Sequence, residues 1–457
     1  MPSHPAPPLR AHAAAMVWTI AVPAMLTNLA TALFGLADMW TIGRLGDAAA
    51  QGGVELGAKY MFGLLGVFNF LRTSTVALTA QAVGGGDREM QAATLARAFV
   101  VALGIGALLV LAMPLSIPFG LGLLAAGGAV HDHAQQYIEI RYWAAPAWLV
   151  NCALTGWLIG QRRVRAVLVV EVSANVLHIA LDLLFVIGLH FGVAGVAMAT
   201  LCSELLKFAA LAGIVLCRPE GRAALGLAAR RATWHRRALL RLFSLNRDLF
   251  LRTVLMTLGL LLFARVGAQQ GATTLAANGI LFQLLMLSTL ILDGFESAAQ
   301  VLCGEALGAR SRDRFLAVLR ATMLRAAIVA LALAAIYALA GGWLAALFST
   351  DPAVVAQCMR YVGWVAVLTV VGVVSYVFDG VFVGAGWTRA MLLTMMLALL
   401  AYLAMLWLVE PFGNAGLWAA YGVMLLLRGG GQAVALPALI RSSFGGRPTF
   451  SAAGTPG

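Results

Sequence analysis

Within the apolar stretch EVSANVLHIALD at 171–182, the residues Glu171, Asn175, His178 and Asp182 recur at spacings of four, three and four. On a helix of 3.6 residues per turn these spacings place all four side chains on one stripe. Two members, His178 and Asp182, are one turn apart and pair an imidazole with a carboxylate, the chemistry of a proton relay. A second carboxylate, Asp38, interrupts an apolar run near the start of the chain. Two carboxylates in a poorly hydrated pocket cannot both stay ionised, so such a pair holds a proton and releases it when water or a cation enters.

The elements that must position these groups are membrane helices. Of 457 residues, 61% are hydrophobic and only 11% charged, against about a quarter in soluble domains. Apolar runs of spanning length recur from end to end, and a polar stripe among them must face other helices or a water-filled cavity. The net charge of +12 comes from arginines in short loops between those runs, which is a topology signal; no nucleic-acid partner is expected. Cys152, Cys202, Cys217, Cys303 and Cys358 are scattered through the spans without a ligand motif and read as small buried hydrophobes, so neither a disulfide nor a metal is expected. The segment PSHPAPPLR leads into a long apolar run without the pattern of a cleaved signal, so the first helix is expected to be retained.

Twelve spans are expected, near 14–43, 55–83, 93–117, 134–160, 166–189, 192–217, 242–266, 273–307, 315–348, 352–384, 388–409 and 414–440. Arg10, Arg88, Arg162, Arg163, Arg165, the seven arginines of 218–241, Arg310, Arg312, Arg314, Arg389 and Arg441 fall on one side of this scheme. The alternate loops carry only Arg44, Lys59 and Arg265, so both termini and the 218–241 segment are expected in the cytoplasm. The domains are then a six-helix bundle over 1–217, a basic cytoplasmic linker over 218–241, and a second six-helix bundle over 242–457. Across the linker the sequence repeats weakly. AQAVGGGDRE at 80–89 resembles GEALGARSRD at 304–313, GRLG at 43–46 resembles ARVG at 264–267, and GWLIG at 156–160 resembles GVFVG at 380–384. Six spans per copy start both copies on the same side, which predicts a pseudo-two-fold axis along the membrane normal.

Depth groups the polar residues. Asp38 lies about 9 Å below the outer end of the first helix, Asp182 about 10 Å below that of the fifth, and Thr200 about 12 Å down the sixth, at 1.5 Å per residue. Thr27, Thr31 and Asp38 share a face of the first helix. Function in proton coupling competes with structural pairing to a backbone group or an arginine; acids at membrane depth favour function. Glu204 and Lys207, three apart on the sixth helix, are expected to neutralise each other. Asp293, Glu296 and Gln300 form the best stripe of the second half, and Asp379 sits near a helix end where capping or loop contacts would satisfy it. At an offset of 224 residues Asp182 corresponds to Leu406 and Glu296 to Arg72, so the ionisable groups are not duplicated with the architecture.

The stretch PAMLTNLATALFGLADMWTIGRLG, with Pro23 fifteen residues before Asp38, resembles the first helix of MATE multidrug exporters. LDLLFVIGLHFGVAGVAMAT at 181–200 is similar to their helix 5–6 hairpin, and LNRDLFLR, LDGFESAAQ and FDGVFVGAG resemble the DinF-like branch. The resemblance runs essentially the whole chain. It implies an all-α membrane protein of two six-helix bundles forming a V, with alternating access and export driven by inward H+ or Na+. It also implies cation-coupling roles for Asp38, Asp182, His178 and Thr200, and a bending point of the first helix at Pro23, where a proline interrupts the helical ladder. Asn175, Thr31, Asp293, Glu296 and Gln300 are the expected cavity residues. His178 departs from the family, which commonly has Asn there, and places a titratable ring in the network.

The expected function is export of amphipathic, cationic small molecules across a bacterial inner membrane, by a monomer without cofactor other than the coupling ion. Sodium coupling and a lipid-linked sugar flippase of the same superfold are the alternatives; the latter calls for deep cations, for which only Lys207 and Arg72 are available. A membrane enzyme is disfavoured, because HExxH is absent and His131-Asp132-His133 lies in an outer loop.

Overall fold

The computed structural model describes residues 9–44, 46–124 and 127–445, and the described residues are almost entirely helical. In chain order the helices are α1 (Leu9–Gly43), α2 (Ala48–Gly66), α3 (Phe70–Gly84), α4 (Arg88–Leu123), α5 (Gly128–Tyr142), α6 (Ala145–Gly160), α7 (Val164–Asp182) and α8 (Gly192–Leu216). There follow α9 (Pro219–Ala228), α10 (Arg236–Gln269), α11 (Ala272–Gly308), α12 (Arg312–Phe348), α13 (Pro352–Ala385), α14 (Thr388–Leu408) and α15 (Gly413–Phe444). Eleven described helical stretches are long and apolar enough to cross a membrane, with α2 and α3 counting as one through a short 3₁₀ turn. The α5–α6 pair, whose apolar part is Ala145–Gly160, makes the twelfth crossing. It is broken at Trp143–Ala144, just before Pro146, where a residue without an N–H suits a helix start.

The chain groups into two compact units, one of residues 22–83 and 87–250, the other of residues up to 21, 84–86 and 251 onward. In the first, α2 packs on α5, α4 on α6, and α7 on α8, around cores that bury Trp157, Tyr137 and Tyr142. In the second, α13 is the central helix, in extensive contact with α11, α12 and α15, around a core containing Trp418, Tyr402 and Tyr421.

The weak sequence repeat is a repeat of backbone devices at an offset of 224 residues. A Cβ on Gly156 would meet the Arg72 carbonyl on α3 at 2.6 Å, and one on Gly380 would collide with the Glu296 carbonyl on α11. A Cβ on Gly160 would likewise lie 2.9 Å from the Val76 carbonyl, and one on Gly384 would collide with that of Gln300. Both pairs let two membrane helices approach to backbone contact, the role of small residues at such interfaces. The turns repeat as well. Gly86 and Arg310 both have positive φ (69° and 53°), and the next residues, Asp87 and Ser311, cap α4 and α12. Their amides close the preceding helices through Asp87 N–H to the Ala82 carbonyl (3.0 Å) and Ser311 N–H to the Ala306 carbonyl (2.9 Å). Arg162 and Gly386 form a further positive-φ pair (62° and 76°).

Candidate functional site

The stripe on α7 faces inward, and its deepest members are fully buried. His178 and Asp182 are 0% exposed and Asp38, on the last turns of α1, is 4% exposed. His178 Nε2 lies 2.5 Å from Asp38 Oδ1 and 3.0 Å from Asp182 Oδ2. The ring thus stands between the two carboxylates, and the ligating atoms of all three residues lie within 4.8 Å of one another. Only the contact with Asp38 has hydrogen-bond geometry; both Asp182 oxygens are buried without a hydrogen-bond partner.

The other ring nitrogen is fixed by a residue the sequence did not single out. Ser203 Oγ donates to the Thr200 carbonyl at 2.9 Å and lies 3.3 Å from His178 Nδ1. A hydroxyl has one proton; given to the carbonyl, it leaves a lone pair for Nδ1–H. That assigns a proton to Nδ1, so the proton between Nε2 and the carboxylates is the one free to move. Ser203 follows Thr200 by three residues on α8, a spacing that could have found it. Thr200 is buried and its own hydroxyl donates to the Val196 carbonyl at 3.2 Å.

Asp182 ends the α-helical part of α7, and the chain continues through Leu183–Gly188 as π-helix before turning into α8. One wide turn of this kind re-aims the residues around it, and such bulges recur at functional sites. On α5, the Tyr137 hydroxyl accepts from Arg141, and the Arg141 guanidinium is within electrostatic reach of Asp38 and Glu204. Arg141 stands two residues from Glu139 on a helix rich in polar residues, so its type and spacing gave no signal for this cation.

Two sequence expectations are corrected. The direct ion pair of Lys207 is with Glu171, its Nζ lying 2.8 Å from Glu171 Oε2 on α7; Glu204 stays within electrostatic reach of the ammonium but accepts its hydrogen bond from Asn151 Nδ2 at 2.8 Å. The packing of α7 on α8 brings Glu171 to the ammonium, and Asn151 on α6 takes the remaining acid. Asp379 is not satisfied by a cap or loop. It is 1% exposed, Oδ2 accepts from both Arg252 on α10 and Arg428 on α15, and Oδ1 accepts from Gln432 Nε2 at 2.9 Å.

The remaining residues lie outside the triad. Asn175 is half-buried with Nδ2 lacking a hydrogen-bond partner, and Thr31 is exposed with its hydroxyl on the Thr27 carbonyl at 2.9 Å. Asp293 and Glu296 are half-buried and Gln300 buried on α11, in the other unit, and both acids lie within electrostatic reach of Arg252 and Arg428. Pro23 is enclosed within α1, and Thr27 Oγ1 donates to its carbonyl at 2.9 Å.

Twelve crossings in two repeated halves, carrying buried charge in their interiors, define a polytopic helical transporter. Solved structures share this fold: a MATE transporter in its bent conformation superposes with a TM-score of 0.84 at 19% identity, covering 95% of this chain and 98% of that one. A MOP superfamily transporter from Pyrococcus furiosus gives 0.83 at 18% identity, covering 95% and 97%. The MatE family model matches residues 23–184 and 249–408, one match in each repeat, and the chain belongs to the MatE family, whose members are transporters and not enzymes. It is 37% identical over 415 residues to DNA damage-inducible protein F of Escherichia coli, covering 90% of each chain. It is 23% identical to a probable multidrug resistance protein NorM of Thermotoga maritima, over 74% of this chain and 72% of that one.

Proposed function

We propose that this protein is a proton-coupled exporter of amphipathic, cationic compounds, and that Asp38, His178 and Asp182 carry the coupling proton. The observation that carries the reading is the imidazole nitrogen at 2.5 and 3.0 Å from two buried carboxylates. Two carboxylates and one imidazole share protons as a unit, so a proton taken from outside redistributes among three atoms without crossing open hydrocarbon. Sodium is a hard cation that takes oxygen ligands, and here a ring nitrogen occupies the space between the two carboxylates. The export of drugs rests on the family and on relatives named as multidrug resistance proteins.

In this reading proton binding and cation binding alternate. Each proton the triad takes up removes one negative charge, so the loaded triad can settle deeper among apolar helices; a substrate cation favours its release. Pro23 supplies a bending point fifteen residues before Asp38, and Asn175, with its unsatisfied amide, offers a polar anchor beside the triad. Thr31, Asp293, Glu296 and Gln300 are further proposed anchors. The arginine asymmetry between loops orients both termini toward the cytoplasm of a bacterial inner membrane, and the protein works as a monomer.

The test is reconstitution into vesicles with a pH-sensitive probe inside. A cationic dye is expected to drive proton movement in the wild type, with at least a hundredfold loss in Asp38→Asn and no dependence on sodium. A requirement for sodium would make the triad a metal-ion site. Movement of neither dye nor ion, with a lipid-linked anion carried instead, would replace export by flipping.

A further inference from the structure

From the end of α8 into the first turns of α10 the chain carries seven arginines, at 218, 222, 230, 231, 236, 237 and 241, and a single acid, Glu220. The structure makes this segment a fixed shelf. Pro219 opens α9, Gly221 brings it against the end of α8, where a Cβ would collide with the Val215 carbonyl, and Ala224 and Leu227 bury its inner face. Beyond α9 the strap is pinned: Thr233 Oγ1 donates to the Leu227 carbonyl (2.7 Å), Trp234 Nε1 to that of Ala228 (2.9 Å), and Arg97 Nε on α4 to that of Thr233 (2.8 Å).

Between this shelf and the start of α4 lies a cavity of about 480 Å³, whose charged lining is Arg88, Arg222 and Arg230 with Glu89 and Glu220. Glu220 is engaged at 3.6 Å by Arg88, so the lining keeps an excess of positive charge. On α9 itself Leu225 is 64% exposed. An open cavity whose three guanidiniums outnumber its two carboxylates, on the same short helix as an exposed leucine, matches a ligand with a phosphate head and an acyl tail.

We infer that the α4–α9 cavity binds the phosphodiester headgroup of an anionic phospholipid, with Arg222 and Arg230 on the phosphate and Leu225 against the acyl chain. Its placement in the inner leaflet rests on the orientation proposed above; the binding itself does not. The site fixes α9, and through Arg97 and Thr233 the start of α4, so occupancy stiffens this end of the unit.

The experiment uses the full chain in neutral detergent, where neither orientation nor transport enters the readout. Native mass spectrometry counts bound phosphatidylglycerol and phosphatidylcholine, and thermal unfolding follows the same titrations. Phosphatidylglycerol is expected to bind and raise the melting temperature, and phosphatidylcholine not to. Each arginine near an anionic group contributes about fivefold, so Arg222→Gln with Arg230→Gln should bind about 25-fold more weakly. The double lysine variant should stay within about fivefold of wild type, and added salt should weaken binding throughout. Unchanged phosphatidylglycerol binding in the double glutamine variant would overturn the assignment. So would displacement of the lipid by millimolar inorganic phosphate or glycerol phosphate, which would make the ligand a soluble phosphate. If lipid binding is lost but dye-driven proton movement persists, the export reading stands apart from this one.

Discussion

The two halves of this transporter are built with the same backbone devices and opposite charge chemistry. In one, a neutralisable ring sits between two carboxylates, Asp38 and Asp182. In the other, one carboxylate, Asp379, is clasped by two guanidiniums and an amide. An imidazole gains and loses a proton near neutral pH, whereas a guanidinium never does. On the proposed reading the first arrangement exchanges a proton, while the second holds a fixed set of charges. Duplication preserved Gly156 and Gly160 as Gly380 and Gly384, where a side chain would enter a backbone carbonyl, but left the buried charges free to diverge.

The largest expected effect breaks the second arrangement. Asp379→Asn leaves Arg252 and Arg428 facing each other without the anion that binds both, and removing one partner of a buried pair costs about 3–5 kcal/mol. Thermal unfolding in detergent should fall accordingly, while proton coupling per folded molecule stays near wild type. Loss of coupling at unchanged stability would instead make Asp379 a working acid and erase the contrast. Next come the shared glycines. Gly156→Ala and Gly380→Ala each push a methyl into a neighbouring carbonyl, and overpacking of this kind costs about 1–3 kcal/mol. Similar losses in both halves support a common architecture; tolerance in one half alone would show that its helices are not held by that contact.

Chemistry within the first arrangement is probed by His178→Asn, which retains a hydrogen-bonding side chain but no exchangeable ring proton. The pH optimum of dye-driven proton movement should move, since two carboxylates then share protons without a base between them and with Arg141 as the neighbouring cation. An unchanged profile would remove His178 from the relay.

Much of this was legible in the sequence because membrane helices impose strong rules. The stripe spacing from Glu171 to Asp182, the common depth of Asp38 and Asp182, and the 224-residue repeat all follow from helix geometry and the expense of polar groups in hydrocarbon. What stayed hidden depends on which helix faces which. Lys207 has an acid three residues away on its own helix, and spacing alone favoured Glu204; helix packing gave it Glu171 on α7 instead. Arg252 and Arg428 lie 127 and 49 residues from Asp379, beyond any local pattern. Arg141 lies on the polar half of its crossing, near Glu139 and just before the break at Trp143–Ala144, where a loop charge and a buried cation look alike in sequence. Ser203 offered only a hydroxyl, too common a group to stand out from a stripe.

Ser203 carries the smallest and most specific expectation. Its hydroxyl donates to the Thr200 carbonyl and so accepts from His178 Nδ1, which keeps Nε2 as the nitrogen facing both acids. Ser203→Ala removes that acceptor, and one such hydrogen bond is worth about 1 kcal/mol, or roughly a fivefold loss in coupled transport. A packing defect would give a similar loss, so rate alone does not decide. The tautomer does: nitrogen-15 spectra of the His178 ring should show one protonated Nδ1 in the wild type and a mixture in Ser203→Ala, with Ser203→Thr restoring the single form. If the ring spectrum is the same in all three, Ser203 merely fills space, and the mobile proton has no assigned nitrogen.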